Sequence, residues 1–250
     1  SSTQSQESSS LARSCRDLRL AVILDQLSRL PGPDEAGFFA LIDESLTLKE
    51  AHQDRHGISI NYGSRGDYYQ WSRKRWHDAD LDPNAAREWY DKQETLAREM
   101  GDRAVLAMVT NKLAGLDIGT AKACEKATEA AGHWRMGLER ARWCLRVAID
   151  LERQGDIVFA ASHTLQAAAG FGDFEAVTHA AQSIVRKDVW DVLGLPPHII
   201  AGFITATQDS LSRMTTVPED QQTETWKTAV TAIQVAHSEL QAIHDKRSQA

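Results

Sequence analysis

Apolar residues recur at steps of three and four along most of the chain, the spacing that places side chains on one face of an α-helix. The first such pattern runs from Leu11 through Leu18 and Val22 to Leu30 and ends at Pro31-Gly32-Pro33. A second begins at Asp34, whose side chain can cap a helix, and continues towards His56. The pattern therefore predicts two helices before the first irregular stretch.

The segment from Gly57 to Gly66 (GISINYGSRG) is rich in glycine and contains a brief alternation of isoleucines. It predicts a loop or a short extended segment rather than a helix. After it, Asp67 is placed to cap a short helix over residues 67–79. Asp82 and Pro83 then predict a break followed by the first turn of the next helix.

Glycines in the middle of the chain are evenly spaced and separate alanine-rich segments. Their separations are 18, 18, 18 and 17 residues, between Gly101, Gly119, Gly137, Gly155 and Gly172. A helix of about 13 residues and a glycine-centred turn fill such an interval, so two intervals predict a helical hairpin of about 36 residues.

Three of these turns combine glycine with aspartate: Met100-Gly101-Asp102, Gln154-Gly155-Asp156 and Gly172-Asp173-Phe174-Glu175. Glycine suits the left-handed end of a helix, and aspartate suits the cap of the next. From about residue 87 to 187 the chain resembles tetratricopeptide-type helical-hairpin repeats. That resemblance implies a scaffold that binds peptides or partner proteins on a concave face.

The C-terminal part predicts two more helices. Gly194-Leu195-Pro196-Pro197 is a strong break, a helix follows from His198 to about Met214, and an amphipathic helix begins after Pro218. Alternating β-branched strand patterns are nearly absent. The fold class is therefore all-α, either a helical bundle or a short α-solenoid of helical hairpins. We expect a disordered polar head over residues 1–10 and one helical domain over 11–250, with 11–82 and 83–250 as alternative sub-regions.

Composition narrows the class of protein. The 250 residues carry 28 basic and 35 acidic side chains, a net charge of −7, and contain no apolar run long enough to span a membrane. The three cysteines, Cys15, Cys124 and Cys144, form no paired motif, which favours a reducing cytoplasmic location. A secreted effector with a serine-rich head is the alternative.

The densest chemical signal is an aromatic and basic cluster over residues 68–77 (YYQWSRKRWH). Trp, Tyr and Arg dominate binding hot spots, and arginine also holds phosphate or carboxylate groups. The predicted partner-binding residues are Tyr68, Trp71, Arg73, Arg75 and Trp76, together with Trp134 and Arg135. The alternative interpretation buries Tyr69 and Trp76 in the core and pairs the cations with the aspartates that follow.

Two other functions remain open on sequence grounds. Stacking aromatics beside cations could bind nucleic acid or phosphate through the same cluster, although the net charge of −7 opposes it. His52 and His56, four residues apart, could place two imidazoles on one helical face as part of a metal or cofactor site in a helical-bundle enzyme. This pair lacks the zinc-protease glutamate and any evident third ligand, so no metal or cofactor is expected.

No catalytic motif is present: the chain has no nucleophile elbow, phosphate loop or dinucleotide fingerprint. We therefore expect a regulatory or interaction module that binds a protein or peptide partner, with a helical-bundle enzyme as the less favoured alternative. The expected binding surface is a groove between helical hairpins from about Trp89 to Val192.

Overall fold

In this computed structural model the described backbone covers residues 2–28, 34–72, 81–190 and 192–249. The described residues form helices and turns without a strand, so the predicted all-α fold class is confirmed. The α-helices are α1 (Ser2–Ser28), α2 (Glu35–Ala51), α3 (Arg55–Asp67), α4 (Pro83–Met100), α5 (Arg103–Ala123), α6 (Ala127–Asp150), α7 (Gln154–Phe171), α8 (Phe174–Ile184), α9 (Lys187–Trp190), α10 (Pro197–Met214) and α11 (Glu224–Ser248). A π-helix follows α3 at Tyr68–Ser72, and a 3₁₀ turn at Glu219–Gln221 precedes α11.

The chain divides into two compact units, residues 1–109 and 110–250. The division falls inside α5, whereas the sequence predicts one helical domain over 11–250, with 11–82 and 83–250 as possible sub-regions. None of the described helices is long and apolar enough to cross a membrane. The two units are described separately below.

In the first unit α1 packs on α2, α2 on α3, and α3 on α4. Phe38, Ile42 and Tyr68 form a small buried apolar cluster against which Phe39 and Tyr69 pack. The Phe38 and Tyr68 rings stack with their centroids 4.6 Å apart. Tyr68 therefore belongs to the core of this unit.

The glycine-rich segment predicted to be a loop is the helix α3, and this prediction is wrong. Asp54 caps the helix by accepting a hydrogen bond from the Gly57 backbone N–H at 2.9 Å. Gly63 and Gly66 face α4, where a β-carbon at Gly63 would lie 2.7 Å from the Gln93 amide nitrogen. Glycine at these positions lets the two helices approach closely. Helix propensity describes only the local preference of each residue, so it does not predict a helix that is stabilised by this contact.

The predicted helix start at Asp67 is also wrong, because Asp67 is the last residue of α3 and the chain continues from it into the π-helix. Residues 73–79 of that predicted helix lie outside the described residues. Its carboxylate accepts a hydrogen bond from the Tyr90 hydroxyl at 2.7 Å. The same hydroxyl lies 2.7 Å from the Gln70 side-chain oxygen in the π-helix. Burial beside the Asp67 carboxylate raises the pKa of Tyr90 above its ordinary value, so the phenol stays protonated.

Polar side chains fill much of the remaining interior of the first unit. Lys49 is 2% exposed and donates to the Asn61 side-chain oxygen at 2.5 Å. The Asn61 amide in turn donates to Ser45 at 3.1 Å, and Ser64 donates to Asp25 at 3.0 Å. These bonds satisfy groups that would otherwise be costly to bury.

In the second unit α7 is the central helix and contacts α6, α8, α9 and α10, while α11 packs on α8 and α10. Helices adjacent in sequence therefore pack in consecutive pairs, an arrangement compatible with helical-hairpin repeats. The alanines of α7 let its neighbours approach closely, and Ile157, Val158 and Leu165 anchor a continuous apolar core around it.

Two of the predicted glycine turns are confirmed. Gly101 (φ 66°) and Gly172 (φ 88°) end α4 and α7 in the left-handed conformation. Asp102 and Asp173 then cap the following helices, accepting from the N–H groups of Val105 and Ala176 at 3.0 Å.

The even glycine spacing does not mark turns throughout. Gly119 lies inside α5 and Gly155 is the second residue of α7, so their assignment to turns is wrong. Gly137 lies inside α6, the alternative that the sequence also allows for it. Before α7 the left-handed residue is Glu152 (φ 54°), although glutamate is rarely found there.

The first and last described elements, α1 and α11, are helices. The two predicted C-terminal helices are confirmed as α10 and α11, and Thr223 caps α11 by accepting from the Trp226 N–H at 3.2 Å. At the other end α1 extends back to Ser2, over the residues predicted to be a disordered head. Whether this polar head is disordered in solution stays a prediction.

Candidate functional site

A groove of about 680 Å³ crosses three helices of the second unit. Its lining comes from α6 (Glu139, Arg142, Leu145, Arg146, Ile149), α7 (Thr164) and α8 (Glu175, Ala176, His179). Successive turns of α6 contribute lining residues, each three or four positions from one on the next turn, so one face of that helix forms a wall of the groove.

The α6 wall is charged along its outer edge and apolar below it. Arg142 and Arg146 are both exposed and lie one helical turn apart, whereas Leu145 between them is 2% exposed and joins the core. Two like charges at this spacing cost an isolated helix about 0.2–0.5 kcal/mol. The pair is therefore not explained by the stability of α6.

The α8 wall is positioned by Asp173. One carboxylate oxygen of Asp173 caps α8 at the Ala176 N–H, and the other accepts from Arg142 of α6 at 3.0 Å. This residue fixes the start of α8 relative to α6. Glu175 and His179 follow one helical turn apart, and both side chains are exposed.

The floor of the groove is closed. Thr164 is 1% exposed and its hydroxyl donates to the Ala160 carbonyl within α7 at 2.8 Å. Leu145 and Ala176 are also buried, so the groove ends on packed side chains and not on an open channel.

Four charged or titratable side chains of the groove make no hydrogen bond or ion pair with any residue in the described part of the chain. They are Glu139, Arg146, Glu175 and His179. Arg146 presents hydrogen-bond donors, and the two glutamates present acceptors. The groove thus offers complementary charges to an incoming chain.

A second recess, of about 400 Å³, lies on the other side of α8. Glu175 and His179 line it as well, together with Thr178, Gln182, Glu224, Thr225 and Thr228 from α8 and α11. The polar face of α8 therefore borders two adjoining depressions, which together form one polar surface within the second unit.

Of the predicted partner-binding residues whose side chains the structure describes, Tyr68, Trp134 and Arg135 are not among those that line the groove. Tyr68 is fully buried in the first unit, and Trp134 is 5% exposed in the second. The Arg213 guanidinium lies 4.6 Å from the centre of the Trp134 ring, whose other neighbour is Gly170. Arg135 is exposed and makes no ion pair with another described residue.

Four other predicted partner-binding residues lie outside the described side chains. They are Trp71, Arg73, Arg75 and Trp76. A role for them in binding a partner or nucleic acid stays a prediction.

The two candidate metal-binding histidines do not share a helical face, so that expectation is wrong. Helix α2 ends at Ala51, and Gln53 (φ 54°) turns the chain before α3 begins. His52 Nε2 lies 3.3 Å from Asp17 of α1, whereas His56 Nδ1 lies 3.4 Å from Asp102. Among the residues described, no group of three His, Cys, Asp or Glu side chains is arranged to hold a metal ion.

Sequence reasoning missed the arginine edge of the groove. Arg142 and Arg146 lie in RARWCLRVAID, which predicts only an amphipathic helix with solvated cations. The sequence signal that could have found them is spacing: Arg142 and Arg146 are four residues apart, as are Glu175 and His179, so each pair lies on one face of its helix. Nothing in the sequence indicates that α6 and α8 meet across α7, because that depends on packing.

Comparison with known proteins assigns no family. No protein-family model matches the chain, and the curated proteins contain no significant match to it.

Proposed function

We propose that the second unit binds an extended segment of a partner protein in the groove between α6 and α8. The chain is then an interaction module, as the sequence predicts, with a different set of contact residues. The observation that carries this proposal is the groove itself: about 680 Å³ with a closed floor and partnerless charged groups on both walls.

The chemistry of the walls favours a segment that carries both charges. Arg146 is suited to a carboxylate or a backbone carbonyl, and Glu139 and Glu175 are suited to a lysine or arginine side chain. Ile149, which is half-buried at one end of the α6 wall, provides apolar surface for an anchoring side chain.

The architecture supports the same function. Hairpins that pack in consecutive pairs, as in tetratricopeptide-type repeats, present grooves along their helices to peptides. Among the described residues that line the groove, the hydroxyl of Thr164 is buried and donates to the Ala160 carbonyl. All three cysteines are free thiols, in keeping with the proposed cytoplasmic location.

The proposal is tested with peptides selected from a random phage-displayed library on the immobilised chain. Binding of the selected peptides is then measured by isothermal titration calorimetry for the wild type and for Arg146→Ala. A charged hydrogen bond contributes about 1.5–3 kcal/mol, so we expect the substitution to weaken binding by about tenfold or more.

Arg135→Ala is the matched control, because Arg135 is an exposed arginine on the same helix, away from the groove. It should bind the selected peptides like the wild type. Weakening by Arg135→Ala with no effect of Arg146→Ala would contradict the groove and favour the edge predicted from sequence. Circular dichroism of both variants verifies that the helices are intact.

A further inference from the structure

Helix α1 of the first unit has an exposed face that differs from the face packed on α2. Ala21, Leu24 and Ser28 point inward and are at most 7% exposed. Arg13, Arg16, Leu20, Ile23 and Leu27 are all exposed. The exposed fractions of the three apolar residues are 41%, 50% and 43%.

These five positions follow one another at steps of 3, 4, 3 and 4 residues. This alternation is the heptad spacing by which one helix packs its side chains into another in a coiled coil. The resulting stripe is too narrow for a helix lying in a lipid surface, which needs a broad apolar face. The geometry therefore favours a helix as the occupant.

The charges on the stripe indicate what kind of partner helix would bind to it. Arg13 and Arg16 occupy its N-terminal part, and Leu20, Ile23 and Leu27 occupy the rest. Arg16 is 77% exposed and pairs only with its neighbour Asp17, at 3.3 Å, among the residues that the structure describes. Within the same limits Arg13 makes no ion pair.

A second copy of this helix would not complement the stripe. In a parallel pair Arg13 and Arg16 would face their own copies, and in an antiparallel pair they would face leucine and isoleucine. Neither arrangement supplies a carboxylate, and like charges at these positions disfavour pairing.

We propose that α1 docks an amphipathic helix of a partner protein by heptad packing. The partner helix carries apolar residues opposite Leu20, Ile23 and Leu27 and acidic residues opposite Arg13 and Arg16. This surface belongs to the first unit and is independent of the groove proposed above, so the chain holds two partner segments of different conformation.

The test uses two fluorescein-labelled synthetic helical peptides with leucines at heptad spacing. One carries glutamates at the positions that face the arginines, and the other carries lysines there. Fluorescence anisotropy with the full chain should show binding of the glutamate peptide and at least about tenfold weaker binding of the lysine peptide. The double variant Arg13→Glu, Arg16→Glu should reverse this preference.

Two neighbouring residues give a matched pair of controls. Ile23 lies on the stripe at 50% exposure, and Val22 lies beside it at 49%. Ile23→Asp should weaken binding of the glutamate peptide by about tenfold or more, whereas Val22→Asp should leave binding of that peptide unchanged. Because both side chains are similarly exposed, a general loss of folding would affect the two variants alike, and circular dichroism would reveal it.

Several outcomes would overturn the proposal. They are failure of the wild type to bind the glutamate peptide, equal effects of the two aspartate variants, and no change of preference in the charge-reversed variant. Dimerisation of the wild type that Ile23→Asp abolishes, measured by analytical ultracentrifugation, would assign the stripe to a second copy. Ile23-dependent binding to phosphatidylserine vesicles without peptide binding would assign it to a membrane.

Discussion

At the scale of single residues, Gly66 shows how closely α3 and α4 approach. A β-carbon at this position would overlap the ring of Tyr90, which is fully buried and held by its hydroxyl to Asp67 and Gln70. Overpacking costs about 1–3 kcal/mol, and the better helix propensity of alanine offsets only part of it. We therefore expect Gly66→Ala to lower the free energy of unfolding by about 1–2 kcal/mol in urea denaturation.

Gly119 is the matched control for this substitution. It lies inside α5 with no atom within 4 Å of its would-be β-carbon, and it is exposed. Alanine there should raise the free energy of unfolding by about 0.5–1 kcal/mol, because it restricts the unfolded chain without a clash. Equal effects of the two substitutions would mean that α3 and α4 are not in close contact.

His163 introduces a pH dependence into the second unit. Its Nδ1 lies 2.9 Å from the Asn111 side-chain oxygen, and burial lowers the pKa of its imidazole to about 4. Below about pH 6.5 the imidazole of the unfolded chain becomes protonated, whereas that of the folded chain stays neutral down to about pH 4. Protonation therefore stabilises the unfolded state in this range, and the folded protein is most stable, as far as His163 is concerned, above about pH 6.5. We expect the free energy of unfolding to fall by up to about 3 kcal/mol between pH 6.5 and 4.

Replacement of His163 by asparagine should remove this part of the pH dependence. Urea unfolding followed by circular dichroism at several pH values between 4 and 7 measures it. The difference in stability between wild type and variant should shrink as the pH falls. Parallel curves for the two proteins would contradict this, because they would mean that the imidazole has the same pKa in the folded and unfolded chain.

At the scale of elements, the sequence predicted several caps correctly but not the glycine-containing helix interiors. Asp34, Asp102 and Asp173 cap helices as predicted, because capping depends on residues two or three positions away, whereas Asp67 and Asp156, predicted as caps on the same grounds, lie within α3 and α7. The glycines of α3 were misread, since their role is close contact with α4, which is distant in sequence. Local pattern therefore located helix starts more reliably than it distinguished a packed glycine from a turn.

The candidate site was less predictable than the fold for a related reason. Tyr68 and Trp134 are the types of residue that bind partners, yet both are buried, whereas Arg146 and His179 are exposed across a groove. Residue type alone does not determine which face of a helix is covered. That depends on which helices pack together: α6 and α8 both pack on α7, and this brings their faces to the two sides of one groove.

At the scale of the molecule, the two units have interiors of different character. Around α7 the second unit buries a continuous cluster of alanine and larger apolar side chains. The first unit buries the longer polar side chains Lys49, Asn61, Gln70 and Gln93 beside a small aromatic cluster, whereas the buried polar residues described in the second unit are Asp117 and six serines and threonines. Burying apolar area contributes about 25 cal/mol per Å², whereas a buried polar group contributes little net free energy even when bonded. The first unit is therefore expected to be the less stable of the two.

Hydrogen exchange followed by mass spectrometry tests this difference directly. Amides of α3 should exchange faster than those of α7, and low concentrations of guanidinium should raise the exchange of α3 first, because α3 packs against the polar interior. The Gln93 side-chain amide is fully buried and makes no hydrogen bond within the described residues, so Gln93→Leu should slow exchange in α3 and leave α7 unchanged. Equal protection of α3 and α7 in the wild type would mean that buried polar bonds stabilise the first unit as strongly as apolar packing stabilises the second.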